Sequence, residues 1–177
     1  DSLGNGSTIQ AGDVQMMRAG SGIRHSEFNA SATDPVHLLQ IWIMPDEANA
    51  QPVYQQARFD VLDPSTGVTG AWHELVVSAK QQDGQSALRI LQDATLSAVR
   101  LGDGQKLGLP PTARQRRWLQ IATGAVRITT DDGQSWELSG GDALALENET
   151  AKVDIEAVSS PDKTEGGALA LLFDLGR

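Results

Sequence analysis

Apolar and β-branched residues in this chain come in short runs separated by glycine, proline, asparagine or aspartate. No stretch keeps the 3.6-residue period of an amphipathic helix. Many short strands broken by turn residues are typical of β-sandwiches and barrels. We therefore predict an all-β protein with strands at residues 7–10, 14–18, 23–28, 36–44, 74–78, 87–91, 95–101, 105–109, 118–122, 126–130, 135–138, 143–147, 153–158 and 168–175.

An internal repeat divides the strands into two similar units. A shift of 129 positions aligns Gly4 with Gly133 and the pair at 12–13 with the Gly-Asp pair at 141–142. The second unit is preceded by strand-like residues 118–130, whereas the first begins where its equivalents should already have passed. The repeat therefore predicts two β units, the first of them incomplete.

A glycine turn at residues 20–22 is followed by His25 and Glu27, two positions apart. If residues 23–28 form a strand, both side chains point to the same face. An imidazole and a carboxylate placed in this way can share one metal ion, and this ligand mix suits non-haem iron and related sites. Two ligands do not complete a site, and an isolated H-x-E is also common without any metal.

The other two histidines of the chain, His37 and His73, are not obvious candidates for further metal ligands. His37 shares a face with Leu39 and Ile41 in the predicted strand 36–44, so we interpret it as a core or strand-end residue. His73 opens a strand-like run with no ligand spacing around it.

Four stretches together closely resemble the pirin family of two-domain cupins, especially its bacterial quercetinase-like branch. The resemblance is specific from residue 1 to about 58 and looser beyond. The stretches are DSLGNG at 1–6, AGDVQMM at 11–17, AGSGIRHSE at 19–27 and LQIWIMP at 39–45.

The resemblance implies two cupin barrels (double-stranded β-helix, or jelly roll) and a metal held by three histidines and one glutamate. His25 and Glu27 match the family's H-x-E element, with Glu27 also the expected catalytic base. The other two histidines belong to an H-P-H element upstream of the stretch matched by 1–5, and nothing here corresponds to it. We expect residues 1–45 to be the C-terminal part of the first barrel, 46–70 a connector, and 71–177 the second barrel.

The 129-residue shift places Asp154 and Glu156 opposite His25 and Glu27. Val153, Ile155 and Ala157 alternate with these acids, which puts the apolar set on the core face and the acids in solvent. The chain has no histidine after His73. We predict that the second barrel binds no metal.

Composition narrows the choice of partners. The net charge of −9 argues against a nucleic-acid partner, and no apolar run has the length of a membrane span. The absence of cysteine excludes disulfides and fits a cytoplasmic protein. The basic residues at 114–117 are interpreted as solvated charges at a sheet edge.

Two functions remain open at this point. The resemblance implies a metal-dependent dioxygenase that opens flavonols such as quercetin, with one divalent transition metal as cofactor. Iron is our first choice, and manganese, nickel, cobalt, copper and zinc fit the ligands equally well. The alternative is a metal-containing binding or regulatory protein without catalytic activity. In either case we expect a missing N-terminal segment of the same protein to be a partner of this chain; without it, the chain could be an inactive proteolytic remnant.

Overall fold

The computed structural model describes residues 4, 6–81, 87–159 and 167–176, where twelve β-strands dominate. Helical structure in these ranges is limited to two 3-10 turns, Asp60–Leu62 and Pro64–Thr66. None of the helices described is long and apolar enough to cross a membrane. The all-β prediction is confirmed. The strands are β1 (Asp13–Arg18), β2 (Val53–Arg58), β3 (His73–Ser78), β4 (Leu88–Ile90), β5 (Ala94–Leu101), β6 (Lys106–Gly108), β7 (Arg116–Thr123), β8 (Ala125–Thr130), β9 (Ser135–Ser139), β10 (Ala143–Glu147), β11 (Val153–Val158) and β12 (Ala168–Leu175).

The second unit consists of two sheets packed face to face. The larger sheet has the strand order β10–β7–β12–β5–β3–β4, and the smaller has the order β6–β11–β8–β9. All neighbouring strands in these sheets are antiparallel except β3 and β4. The core between the sheets is fully buried at Leu119, Ile121, Ile128, Ile155 and Leu172.

Strand β11 shows why this unit folds as predicted. Val153, Ile155 and Ala157 are buried, while Asp154 and Glu156 between them are partly exposed. The carboxylate of Asp154 lies 3.2 Å from the amines of both Lys106 and Lys152. Burial raises the pKa of Asp154, but hydrogen bonds and charge attraction from the two lysines outweigh it and hold that pKa below its ordinary value.

Residues 46–70, expected to be an irregular connector, contain β2 and both 3-10 turns. Phe59 and Val61 are buried against the outer face of the larger sheet, beside Leu75 and Leu96. Arg100 donates from Nε to the carbonyl of Val61 at 3.2 Å. This segment therefore carries a second, smaller core.

Asp63 fixes the end of that segment. Its carboxylate accepts hydrogen bonds from the hydroxyl of Ser65 at 2.6 Å and from the backbone N–H of Ser65 at 2.9 Å, and it is ion-paired with Arg58. The Ser65 hydrogen bonds, aided by the charge of Arg58, hold the pKa of Asp63 below its ordinary value despite burial.

The first unit repeats the second at the turn before its first strand. Gly12 and Gly141 have φ of 94° and 97°. The N–H of Asp13 donates to the carbonyl of Gln10 at 3.0 Å, and that of Asp142 to the carbonyl of Ser139 at 2.8 Å. Each aspartate side chain accepts in return from the backbone N–H three residues earlier, both at 2.9 Å. The two turns related by the 129-residue shift therefore form the same pair of hydrogen bonds.

Three strands predicted in the first unit, at residues 7–10, 23–28 and 36–44, are not formed. Residues 23–28 and 36–44 pair with no strand among the described residues, and Phe28, Trp42 and Met44 are 85–87% exposed. Their counterparts in the second unit, β11 and β12, pair with β8, β5 and β7. Those partners have no equivalents 129 positions earlier within the 177 residues. The apolar pattern is present, but no strand in the described part of the chain pairs with it.

Residues 39–44 lie beside the outer face of the larger sheet. Together with Trp118, Leu171 and Phe173 they line an apolar groove of about 500 Å³. Gln92 Nε2 donates to the carbonyl of Ile43 at 3.4 Å. This groove is where the extended part of the first unit meets the second barrel.

Candidate metal centre

The glycine turn before the H-x-E pair is built as predicted. The N–H of Gly22 donates to the carbonyl of Ala19 at 2.9 Å. Gly20 has a φ of 55°, and a Cβ at this position would lie 1.9 Å from the carbonyl oxygen of Ala50. Only glycine can occupy such a position without moving the backbone. The turn therefore fixes where the following residues leave β1.

His25 and Glu27 both lie in the segment 23–28, which belongs to none of the sheets that the structure describes. Both side chains are exposed. Neither has a hydrogen-bond or ion-pair partner among the residues that the structure describes. An unengaged imidazole and an unengaged carboxylate are free to act as ligands, and this donor set fits a divalent metal.

The rest of a coordination sphere is not found in the described ranges. They contain no group of three or more histidine, cysteine, aspartate or glutamate side chains that could hold a metal ion. His37 is exposed in the unpaired segment, so its interpretation as a core or strand-end residue is wrong. His73 begins β3 opposite Ala98. In the described ranges, His25 and Glu27 therefore remain a candidate pair without a third ligand beside them.

Sequence reasoning missed a polar cluster in the second barrel. Arg117 lies beside Asp174 across β7 and β12, with Nε 2.8 Å from Oδ1 and each side chain 12% exposed. Arg114 donates to Thr95 Oγ1 at 2.8 Å. The interpretation of residues 114–117 as solvated charges is therefore wrong at Arg114 and Arg117. The sequence contained a signal for this, because Arg117 lies two positions before Leu119 and therefore on the same face of the strand.

The chain matches two family models that together span most of its length. The model described as Pirin matches residues 1–43, and the one described as Quercetinase C-terminal cupin domain matches residues 75–175. The latter covers the strands of the second barrel from within β3 to the end of β12.

Individual proteins show the same relationship. A quercetin 2,3-dioxygenase of Escherichia coli (strain K12) is 37% identical over 175 residues, which is 99% of this chain and 66% of that protein. The crystal structure of the bacterial pirin YhhW from Escherichia coli in complex with nickel(II) superimposes with a TM-score of 0.76 at 34% identity. The superposition covers 98% of this chain and 66% of the YhhW chain.

A more distant structure, the protein YhaK from Escherichia coli, shares the fold at a TM-score of 0.54 and 20% identity, over 72% of this chain and 48% of its own. The chain spans 66% of the length of the first two relatives. The two packed sheets formed by β3–β12, the repeated turn in the first unit and these matches agree: the chain belongs to the pirin family of two-cupin proteins.

Proposed function

We propose that this chain is part of a metal-dependent dioxygenase that acts on flavonols such as quercetin, with His25 and Glu27 as two of its metal ligands. The observation that carries the proposal is the unengaged imidazole–carboxylate pair directly after a turn that only glycine allows. It lies in the region matched by the Pirin model. The relative named quercetin 2,3-dioxygenase supports the substrate class.

We infer that the remaining ligands come from a segment outside these 177 residues. The support is the ligand count, since the described part of the chain offers no third donor at this site. The relatives are half as long again as this chain, which leaves room for such a segment. Its strands would also pair with residues 23–28 and 36–44, the apolar runs now left exposed. In this proposal residues 1–45 are the C-terminal part of the first barrel.

The metal is proposed to be a single divalent transition ion. One imidazole and one carboxylate accept several such ions, and loading then follows availability as much as affinity. Nickel(II) in the similar pirin structure is consistent with this class. Iron remains our first choice. The second barrel is proposed to bind none, because no histidine follows His73.

The two residues have different roles in the proposed mechanism. When bound, a divalent ion supplies Lewis-acid chemistry and lowers the pKa of a hydroxyl beside it. Glu27 accepts the proton of the flavonol hydroxyl on a carboxylate oxygen, which a loosely held ligand can do. His25 contributes one ring nitrogen in its neutral form and keeps the N–H on the other, which fixes its tautomer.

Two substitutions in the whole protein separate these roles. His25→Ala should remove most of the metal and all turnover of quercetin. Glu27→Gln should keep part of the metal, because the amide oxygen can still bind weakly, but lose turnover with the base. His73→Ala is the control and should change neither. If the protein holds its metal but never consumes a flavonol, the dioxygenase proposal fails and the non-catalytic binding protein takes its place.

A further inference from the structure

The inner face of the larger sheet changes from apolar to polar towards one end of the second barrel. Leu172 belongs to the core and pairs with Ser97 of β5. Ser97 in turn pairs with Glu74 of β3. One step further along, Asp174 pairs with Thr95. The register therefore places two acids and two hydroxyls together on the face that elsewhere forms the core.

A cavity of about 390 Å³ opens at this polar end. Its volume lies in the range of sites that bind small organic molecules. The loop 110–113 forms one wall, and Arg117 Nη2 anchors that loop by donating to the carbonyl of Pro110 at 2.8 Å. The other walls include Trp72, Glu74, Ser97 and Asp174.

Hydrogen-bonding groups in the cavity are left over after the internal contacts are made. Ser97 is only 7% exposed, and its hydroxyl has no hydrogen-bond partner among the described residues. Asp174 is 8% exposed, and its Oδ1 is ion-paired with Arg117 without hydrogen-bond geometry. Glu74, which is exposed at the mouth of the cavity, accepts only a long bond, 3.4 Å, from Gln81. Buried polar groups in proteins are nearly always hydrogen-bonded, so Ser97 and Asp174 favour an outside partner.

Charge defines what that partner can be. Arg117 is neutralised by Asp174, and Arg114 is paired with Asp93 at 2.7 Å. Glu74 remains as an uncompensated negative charge, which disfavours an anion. Glu74 is exposed, so water screens its charge, and the buried Ser97 and the neutralised Asp174 call for hydrogen bonds rather than for a countercharge.

We propose that the polar end of the second barrel binds a small neutral molecule that carries adjacent hydroxyl groups. Carboxylates only accept hydrogen bonds, and a pair of neighbouring hydroxyls can donate to both oxygens of one carboxylate. Acidic side chains bind ribose hydroxyls in this way in dinucleotide sites. The Ser97 hydroxyl adds a third contact. The proposal is independent of the metal chemistry assigned to His25 and Glu27.

The test measures binding of D-ribose, myo-inositol and catechol to the protein by ligand-observed NMR and calorimetry. At least one probe should bind with a millimolar or lower Kd, and its class then distinguishes a sugar-like from a phenolic ligand. Ser97→Ala should weaken that probe roughly 2- to 12-fold, the value of one neutral hydrogen bond. Glu74→Gln should weaken it roughly 10- to 100-fold, because its bond is charge-assisted.

Ser135→Ala is the matched control, since Ser135 is exposed at the start of β9, and it should leave binding unchanged. Ser97→Ala removes no internal hydrogen bond, so loss of folding should not obscure the result. The proposal is overturned if no probe binds at tens of millimolar, or if both cavity variants bind like the wild type. Tighter binding of inorganic phosphate or ethylamine than of every hydroxylated probe would overturn the ligand class.

Discussion

The ion pair of Arg117 and Asp174 allows a prediction in which burial, rather than the distance between the charged atoms, decides the outcome. Nε and Oδ1 are 2.8 Å apart, and each side chain is 12% exposed. Arg127 and Glu137 pair at the same 2.8 Å, but their side chains are 41% and 68% exposed. The two pairs therefore differ in solvation rather than in distance.

Truncating one partner of the buried pair leaves a charge in the protein interior. Asp174→Leu should lower the free energy of unfolding by about 3–5 kcal/mol, the usual cost of an uncompensated buried charge. For a domain of this size that corresponds to a fall in Tm of roughly 6–20 °C. Glu137→Leu should cost about 0–1 kcal/mol, because water and salt already screen an exposed pair.

The double variant Arg117→Met/Asp174→Leu should recover most of the loss, since two apolar side chains remove both desolvated charges. The predicted coupling between the two substitutions is at least about 3 kcal/mol, measured by urea unfolding followed by tryptophan fluorescence. The reasoning is refuted if Asp174→Leu is no costlier than Glu137→Leu. Strict additivity of Arg117→Met and Asp174→Leu would refute it equally.

Three further predictions concern the fold. Gly124→Ala should destabilise the second barrel by more than the roughly 1–3 kcal/mol of a strained backbone, because the new Cβ would lie 2.1 Å from the carbonyl oxygen of Gly167. Gly133 has open space around it, so Gly133→Ala should cost only the free energy of the strained backbone. Thermal unfolding of both variants measures the difference. Ile128→Ala should cost about 2–5 kcal/mol in urea unfolding, since the side chain is fully buried, and a smaller loss would mean a looser core. The pKa of Asp63 is lower in the folded protein, so the stabilisation that its carboxylate provides is present above the free value of about 3.9 and is lost as the pH falls through the native pKa. Below about pH 4, the free energy of unfolding should therefore fall less steeply with pH in Asp63→Asn than in the wild type. Equal slopes would contradict this.

The second barrel could be predicted closely from sequence because its strands find their partners within the chain. The alternation of Val153, Ile155 and Ala157 predicted the buried face of β11 directly, and the strands predicted at 126–130 and 135–138 pair as β8 and β9. In the first unit the same apolar pattern at 36–44 predicted a strand that is not formed. Periodicity reports which face of a strand is apolar, but a strand forms only where another backbone pairs with it.

Charged residues show a second limit of the sequence. Arg114 and Arg117 look like a solvated basic cluster because short windows contain no information about distant acids. Asp93 and Asp174, the residues that pair with them, lie 21 and 57 positions away. The candidate metal pair His25 and Glu27 stays a prediction from the family resemblance, and the described residues contain no further group that could complete a metal site.

The central claim is that His25 and Glu27 hold a metal ion, and metal content tests it most directly. The whole protein should be dialysed and its bound metal measured per polypeptide, for the wild type, for His25→Ala and for Asp154→Asn/Glu156→Asn, the pair that occupies the equivalent positions in the repeat. We predict close to one divalent ion in the wild type, the same in the Asp154/Glu156 variant, and little in His25→Ala. Full metal in His25→Ala, or loss of metal in the Asp154/Glu156 variant, would contradict the assignment.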